Sequence, residues 1–243
     1  MTTNDSTRDF GEAAGLMLPV ALGVAPFGLL LGSVAADKGL TLVDVLAMSG
    51  LVFAGSSQFV AVSLWNDPLP WLGIAASVLL VNARHVLMGA SLARSLQTVP
   101  RRHRLIAAFF MADEIWALAE RRARSGRLSL SYYFGLAVVL YTSWLLFTGL
   151  GTAIGAVIAD PAALGFDFAF TAIFIALIVS FVGSASAVLP VVASAVAATV
   201  VHLLVPGALS ILAGAMAGIA VAMIAPAGSE EYAPAAGAEE ERA

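Results

Sequence analysis

Apolar residues in this chain gather in long windows broken by short polar stretches, rather than recurring at amphipathic spacing. Windows able to cross the roughly 30 Å of bilayer hydrocarbon fall at about 13–36, 42–65, 69–92, 130–158, 167–187, 189–205 and 208–226. In lipid every backbone polar group must be satisfied within its own segment, so windows of this length predict helices. The expected fold is therefore an all-α polytopic membrane protein of about seven transmembrane helices. An eighth apolar segment, Leu105 to Leu118, is shorter and is interrupted by Asp113 and Glu114. The first window is too long for a signal-peptide core and follows a net acidic flank, so it is expected to remain as a span.

Eight of the 12 basic residues lie between Arg94 and Arg127, on both sides of the short segment. Under the positive-inside rule both flanks are cytoplasmic. The segment is then expected to enter and leave on one face, as a re-entrant or interfacial helix. Counting back three spans from Arg94 places the N-terminus outside. Residues 1–12 read as an N-terminal tail and 13–226 as one transmembrane domain. Residues 227–243, acidic and rich in Ala, Gly and Pro, read as a disordered tail. Offsetting the chain by 123 residues aligns Gly28 with Gly151, Gly32 with Gly155 and Asp37 with Asp160, suggesting repeats at about 13–92 and 130–205. Three spans and a non-crossing segment between the copies would make the repeat inverted, the plan of many secondary transporters.

Composition changes the picture little. Hydrophobic residues make up 60% and charged ones 12%, with a mean hydropathy of +0.94, too little polar surface for a soluble globule. The chain has no cysteine, which excludes disulfides, thiolate metal sites and cysteine nucleophiles, and its three histidines stand far apart. Neither a metal nor any other cofactor is implied. Topology accounts for the basic cluster, so nucleic acid is not expected as a partner. A phosphate-binding loop of the G-x-x-x-x-G-K-[ST] type is absent, which speaks against ATP-driven transport.

Candidate chemistry begins with Asn82, Arg84 and His85 inside the third window. An Arg near the centre of a span costs about 2.5–3.5 kcal/mol on insertion scales, so such residues normally face a protein interior or an aqueous path. The alternative is that Arg84, about 14 Å of helix from the end of its span, snorkels to the headgroups. Pro19 and Pro26 interrupt the first window, and Pro26-Phe27-Gly28 is expected to kink it. In the second window Ala54-Gly55-Ser56-Ser57-Gln58-Phe59 concentrates small and polar residues at mid-membrane depth. Such a stretch can unwind and offer carbonyls and N–H groups to a ligand, or it can simply be a small-residue packing seam.

Taken in order, Pro26-Phe27-Gly28, Phe53 to Phe59, Asn82 to Gly89, Ala112-Asp113-Glu114-Ile115-Trp116-Ala117 and Ser143-Trp144 resemble the large subunit of the AzlC-type branched-chain amino acid exporters. Ala112 and Thr171 depart from that family's pattern, where Thr and Pro are frequent. The resemblance implies export of branched-chain amino acids through a bacterial cytoplasmic (inner) membrane, together with a small AzlD-like membrane subunit. A zwitterion of this kind needs a donor-rich patch, an acceptor patch and an apolar pocket. Pro26, Phe27, Gly55, Ser56, Ser57, Gln58, Asn82 and Arg84 are the candidates for substrate binding. His85, Asp113 and Glu114 are candidates for coupling export to protons. Static pairing of Arg84 with Asp113 or Glu114 is the competing role. From other classes, an intramembrane serine hydrolase would join Ser56 or Ser57 to His85, and a non-transporting scaffold would leave these charges without a purpose.

Overall fold

A computed structural model describes residues 3–97, 99–155, 175, 185–205 and 208–224. The described residues form nine α-helices and no strand, as an all-α polytopic membrane protein requires. They are α1 (Thr3–Asp37), α2 (Leu42–Leu51), α3 (Gly55–Ser63), α4 (Trp71–Ala93), α5 (Arg101–Phe109), α6 (Asp113–Ser125), α7 (Leu130–Gly155), α8 (Ala185–Leu204) and α9 (Ala208–Ile224). The chain divides into two compact units, Met1–Ile173 and Phe174–Ala243. The window at 167–187, the match of Asp37 with Asp160, Thr171 and the tail from 227 lie wholly or mainly outside the described residues.

In the first unit α1 and α7 are the axis. α1 begins at Thr3, so the tail read at 1–12 forms its first turns, and it continues through Pro19 and Pro26 to Asp37. Glycines bring the two backbones together. A Cβ on Gly32 would lie 2.1 Å from the Thr148 carbonyl oxygen, and one on Gly151 would lie 2.1 Å from the Leu29 oxygen. The Ser33 hydroxyl donates across this seam to the Gly151 carbonyl at 3.0 Å. Contacts ascend together, with Phe10 and Ala13 at Gly135, Gly28 at Phe147 and Ser33 at Gly155, so α1 and α7 run parallel. The residues matched at an offset of 123 on these two helices thus run in the same direction.

Parallel packing follows from what lies between the two helices. α1 ends in a left-handed turn at Gly39 (φ 83), whose N–H donates to the Ala36 carbonyl while Leu40 N–H donates to Ala35. Thr41 and Asp44 then form a capping box that starts α2. α2 descends along α7 in the opposite sense, from Leu42 and Leu46 at Gly149 to Gly50 at Tyr141. After the break at 52–54, α3 returns, and Lys38 Nζ at the end of α1 donates to Asn66 Oδ1 at 3.4 Å. Residues 42–65 therefore turn back instead of crossing. With 10 and 9 residues, α2 and α3 are each about 15 Å long, half the hydrocarbon thickness.

α4 crosses, and α5 and α6 form a second hairpin from the other face. The Tyr133 hydroxyl donates to the Ala107 carbonyl at 2.7 Å near the start of α7, and the Phe110 ring at the tip meets Tyr141 at 5.2 Å. α6 then runs back until Arg122 pairs with Asp9 and Glu12 of α1. The short segment is re-entrant, with both flanks on one face. The N-terminal turns of α1 lie on that same basic face, which corrects the outside placement, because 42–65 removes one crossing from the count. Helices long and apolar enough to cross within this unit are α1, α4 and α7.

In the second unit α8 and α9 form an antiparallel pair. Gly214 faces Ser194 and Ala198, and Gly218 faces Pro190 and Ser194. His202 lies in the last turn of α8.

Two outcomes follow. Single cysteines replacing Lys38 and Asp67 will react with an impermeant thiol reagent from one face of the membrane, and those replacing Gln97 and Ser125 from the opposite face. Reaction of the first two from opposite faces would make 42–65 a crossing. Gly32→Ala, against a rigid backbone, will lower stability by about 1–3 kcal/mol in detergent unfolding, whereas Gly11→Ala, with nothing within 4 Å, will not.

Candidate functional site

The tips of the two hairpins meet beside the middle of α4, and Arg84 lies between them. One guanidinium nitrogen, Nη1, is 2.7 Å from Asp113 Oδ2 in the first turn of α6. The other, Nη2, donates to the Ser56 hydroxyl in the first turn of α3. The pair is partly open, with side-chain exposures of 39% and 29% for Arg84 and Asp113. Both terminal nitrogens of Arg84 are thus engaged by protein groups. Among the described residues its Nε is buried without a hydrogen-bond partner, and so is His85 Nδ1.

Both half-helices begin without a side-chain cap, at Ala54 and Ala112. The first helical bonds are Gln58 N–H to Ala54 and Trp116 N–H to Ala112. The N–H groups of Gly55, Ser56 and Ser57, and of Asp113, Glu114 and Ile115, precede those bonds and carry the positive end of each helix dipole. Asp113 and Glu114 complement that end of α6. The first turn of α3 has no acid and faces Arg84, so its local field attracts an anion.

Second-layer contacts hold the break in shape. Ser57, 1% exposed, donates to Asn82 Oδ1 at 2.7 Å and so ties α3 to α4. Gln58, also 1% exposed, donates through Nε2 to Ser49 of α2 at 2.9 Å and accepts at Oε1 from Trp144 Nε1 of α7 at 2.8 Å. Its amide thereby ties α3 to both α2 and α7. Gly55 lies against the Trp144 ring, where a Cβ would come within 2.9 Å. The Tyr141 hydroxyl covers the Gly50 carbonyl left open at the end of α2. On the other hairpin Trp116 Nε1 donates to Ser91 Oγ at 2.7 Å.

Of the residues singled out from the sequence, Gly55, Ser56, Ser57, Gln58, Asn82, Arg84 and Asp113 come together, with His85 and Glu114 next to them in the chain. Pro26 is exposed and Phe27 half-buried on α1, and among the described residues no hydrogen bond joins them to the cluster. The sequence reading missed Ser49, Ser91 and Tyr141, isolated residues whose partners are remote in the chain. Trp144 carried a signal only as part of a motif. Neither Ser56 nor Ser57 bonds to His85, because their hydroxyls engage Arg84 and Asn82.

Helices broken at mid-depth around a partly open charged pair define this as a polytopic membrane protein with an internal polar site. The chain belongs to the AzlC protein family, whose model matches residues 19–158. It is 30% identical to the inner membrane protein YgaZ of Escherichia coli strain K12 over 65% of this chain and 67% of that protein. An uncharacterized membrane protein of Archaeoglobus fulgidus is 27% identical over 82% of this chain and 88% of its own length. The branched-chain amino acid transport protein AzlC of Bacillus subtilis strain 168 is 23% identical, over 70% and 66%. No solved structure matches. The matched region contains both hairpins and Arg84.

Gln58→Leu will leave the Ser49 hydroxyl and the Trp144 N–H without their partner, at about 1–3 kcal/mol for each buried group. Thermal unfolding of the purified protein will show a clearly lowered midpoint. Thr142→Val, at an exposed residue bonded within its own helix, will leave it nearly unchanged.

Proposed function

We propose that this protein is a secondary transporter that exports branched-chain amino acids across the bacterial cytoplasmic membrane, coupled to protons and assembled with a small AzlD-like membrane subunit. The observation that carries this reading is Arg84 held between Ser56 and Asp113 at the meeting of two half-helices. The name of the Bacillus subtilis relative supports the substrate class.

A zwitterion fits by entering the ion pair. Its carboxylate takes the Arg84 fork and the free N–H groups at the start of α3, and its ammonium takes Asp113. One charge pair is exchanged for two, so the cost of opening the first is offset. A proton on Asp113 removes the partner of the ammonium, which makes proton and substrate mutually exclusive occupants. That exclusion is what an exchange of amino acid for proton requires. Glu114 follows this carboxylate in the chain and His85 follows Arg84, and both are candidates to relay the proton. Gln58 is better cast as the support of the site than as a ligand.

The competing reading is a static clamp in which Arg84 and Asp113 only hold the hairpins together. A hydrolase reading is less favoured, since the serine hydroxyls engage Arg84 and Asn82 and not a histidine base.

Efflux of labelled leucine, isoleucine and valine from cells expressing the chain, with and without the small subunit, tests the assignment. Arg84→Lys will reduce efflux roughly ten-fold or more although the charge is kept, because an ammonium cannot reproduce the planar fork. Asp113→Asn, which like the protonated acid offers the ammonium no charge, will reduce efflux strongly and remove from what remains the dependence on the pH gradient. Normal proton-dependent efflux in the double variant Arg84→Met with Asp113→Leu would establish the clamp and remove the site.

A further inference from the structure

The two hairpins share one register. In the first, Val52 N–H donates to Met48 and Gln58 N–H to Ala54. In the second, Phe110 N–H donates to Ile106 and Trp116 N–H to Ala112. Every position recurs 58 residues later, and the hairpins enter from opposite faces, so α1–α3 and α4–α6 are inverted copies of one plan. In each copy the returning arm ends beside a terminus of α1, but the two ends are held differently. At the first, Lys38 makes an exposed contact with Asn66 at 3.4 Å. The second has Arg122 bonded to Asp9 at 3.4 Å and Glu12 at 3.3 Å, and its guanidinium lies 5.0 Å over the Tyr132 ring. Asp9 in turn accepts from the Ser129 hydroxyl at the start of α7. An open cavity of about 580 Å³ lies over this cluster, lined in part by Arg8, Arg122 and Arg127.

We infer that the α5–α6 hairpin is the gate on the basic face and that Arg122 is its latch, closed in this structure. The three contacts are long or partly exposed, as suits a fastening that must open. The latch joins α6 to both members of the α1–α7 axis, so its release removes that fastening without disturbing the axis and leaves α6 tied to α4 through the Arg84–Asp113 and Trp116–Ser91 contacts. Inverted copies with unequal fastenings describe a state closed on one face and more loosely held on the other. The meaning of the gate for transport rests on the reading above, but its existence does not, and the test needs no substrate.

Gly89 on α4 faces Met111 at the hairpin tip, where a Cβ would lie 4.0 Å from Met111 Cε. In the otherwise cysteine-free chain, Gly89→Cys is reconstituted into liposomes, and its reaction with an impermeant maleimide is timed on the face where Ser125→Cys reacts. Reaction will be slow in this background and roughly ten-fold faster after Arg122→Gln. Arg122→Glu will have the same effect, and Glu12→Arg added to it will return the rate toward the slow value. Glu12→Gln alone, a milder change that keeps Asp9 and Tyr132, will give a smaller rise and serves if the stronger variants do not fold. An unchanged rate in folded Arg122→Gln and Glu12→Gln proteins, or no return with the reversed pair, would overturn the latch. That result would leave the amino acid reading standing, just as absence of efflux with an intact latch would leave the gate.

Discussion

The close approach of α1 and α7 is the constraint on which the first unit depends. With a glycine on each side, carbonyl oxygens come within 2.1 Å of where a Cβ would lie, so larger side chains have no room at the seam. Without a strong hydrophobic drive between helices in lipid, this backbone contact supplies dispersion where side-chain burial cannot. It also fixes direction. Two helices held parallel over some twenty residues require an odd number of crossings between them, and α4 provides the one, since the segments on either side both turn back.

Those reversals create the chemistry. A half-helix ending at mid-depth exposes N–H groups that neither water nor lipid satisfies cheaply. The chain meets that cost with polar side chains from neighbouring elements. Tyr141 covers a carbonyl, Gln58 joins three helices, and Arg84 spans the two tips. The broken backbone gives the charges a place in the protein interior, and the charges give the broken backbone partners. A cluster built in this way is buried on its Trp144 side and partly open at the Arg84–Asp113 pair.

Firm and yielding contacts divide along the same line elsewhere. The glycine seam and the Gln58 post are buried and short, whereas the fastenings of the hairpin arms to α1 are longer and more exposed. The hairpin arms are thus fastened to α1 less tightly than the hairpins are tied to α7 through Gln58–Trp144 and Tyr133–Ala107.

By itself the sequence determined the membrane setting, the helical class, the family and most members of the polar cluster. Apolar windows can satisfy backbone in lipid only as helices, and ionisable residues in such windows need polar company. The re-entrant course of 105–118 was legible too, because basic residues flank both ends. Residues 42–65 gave no such sign, for a hairpin with apolar arms has the length and hydropathy of a span. Only the tertiary structure decided its reversal, through contacts with α7, and with it the face on which α1 begins. It alone showed that Arg84 meets Ser56 and Asp113 at once, that Gln58 bonds to both Ser49 and Trp144, and that the two hairpins share a register 58 residues apart. These depend on side chains remote in the chain meeting at one depth, which hydropathy along a single strand of residues does not encode.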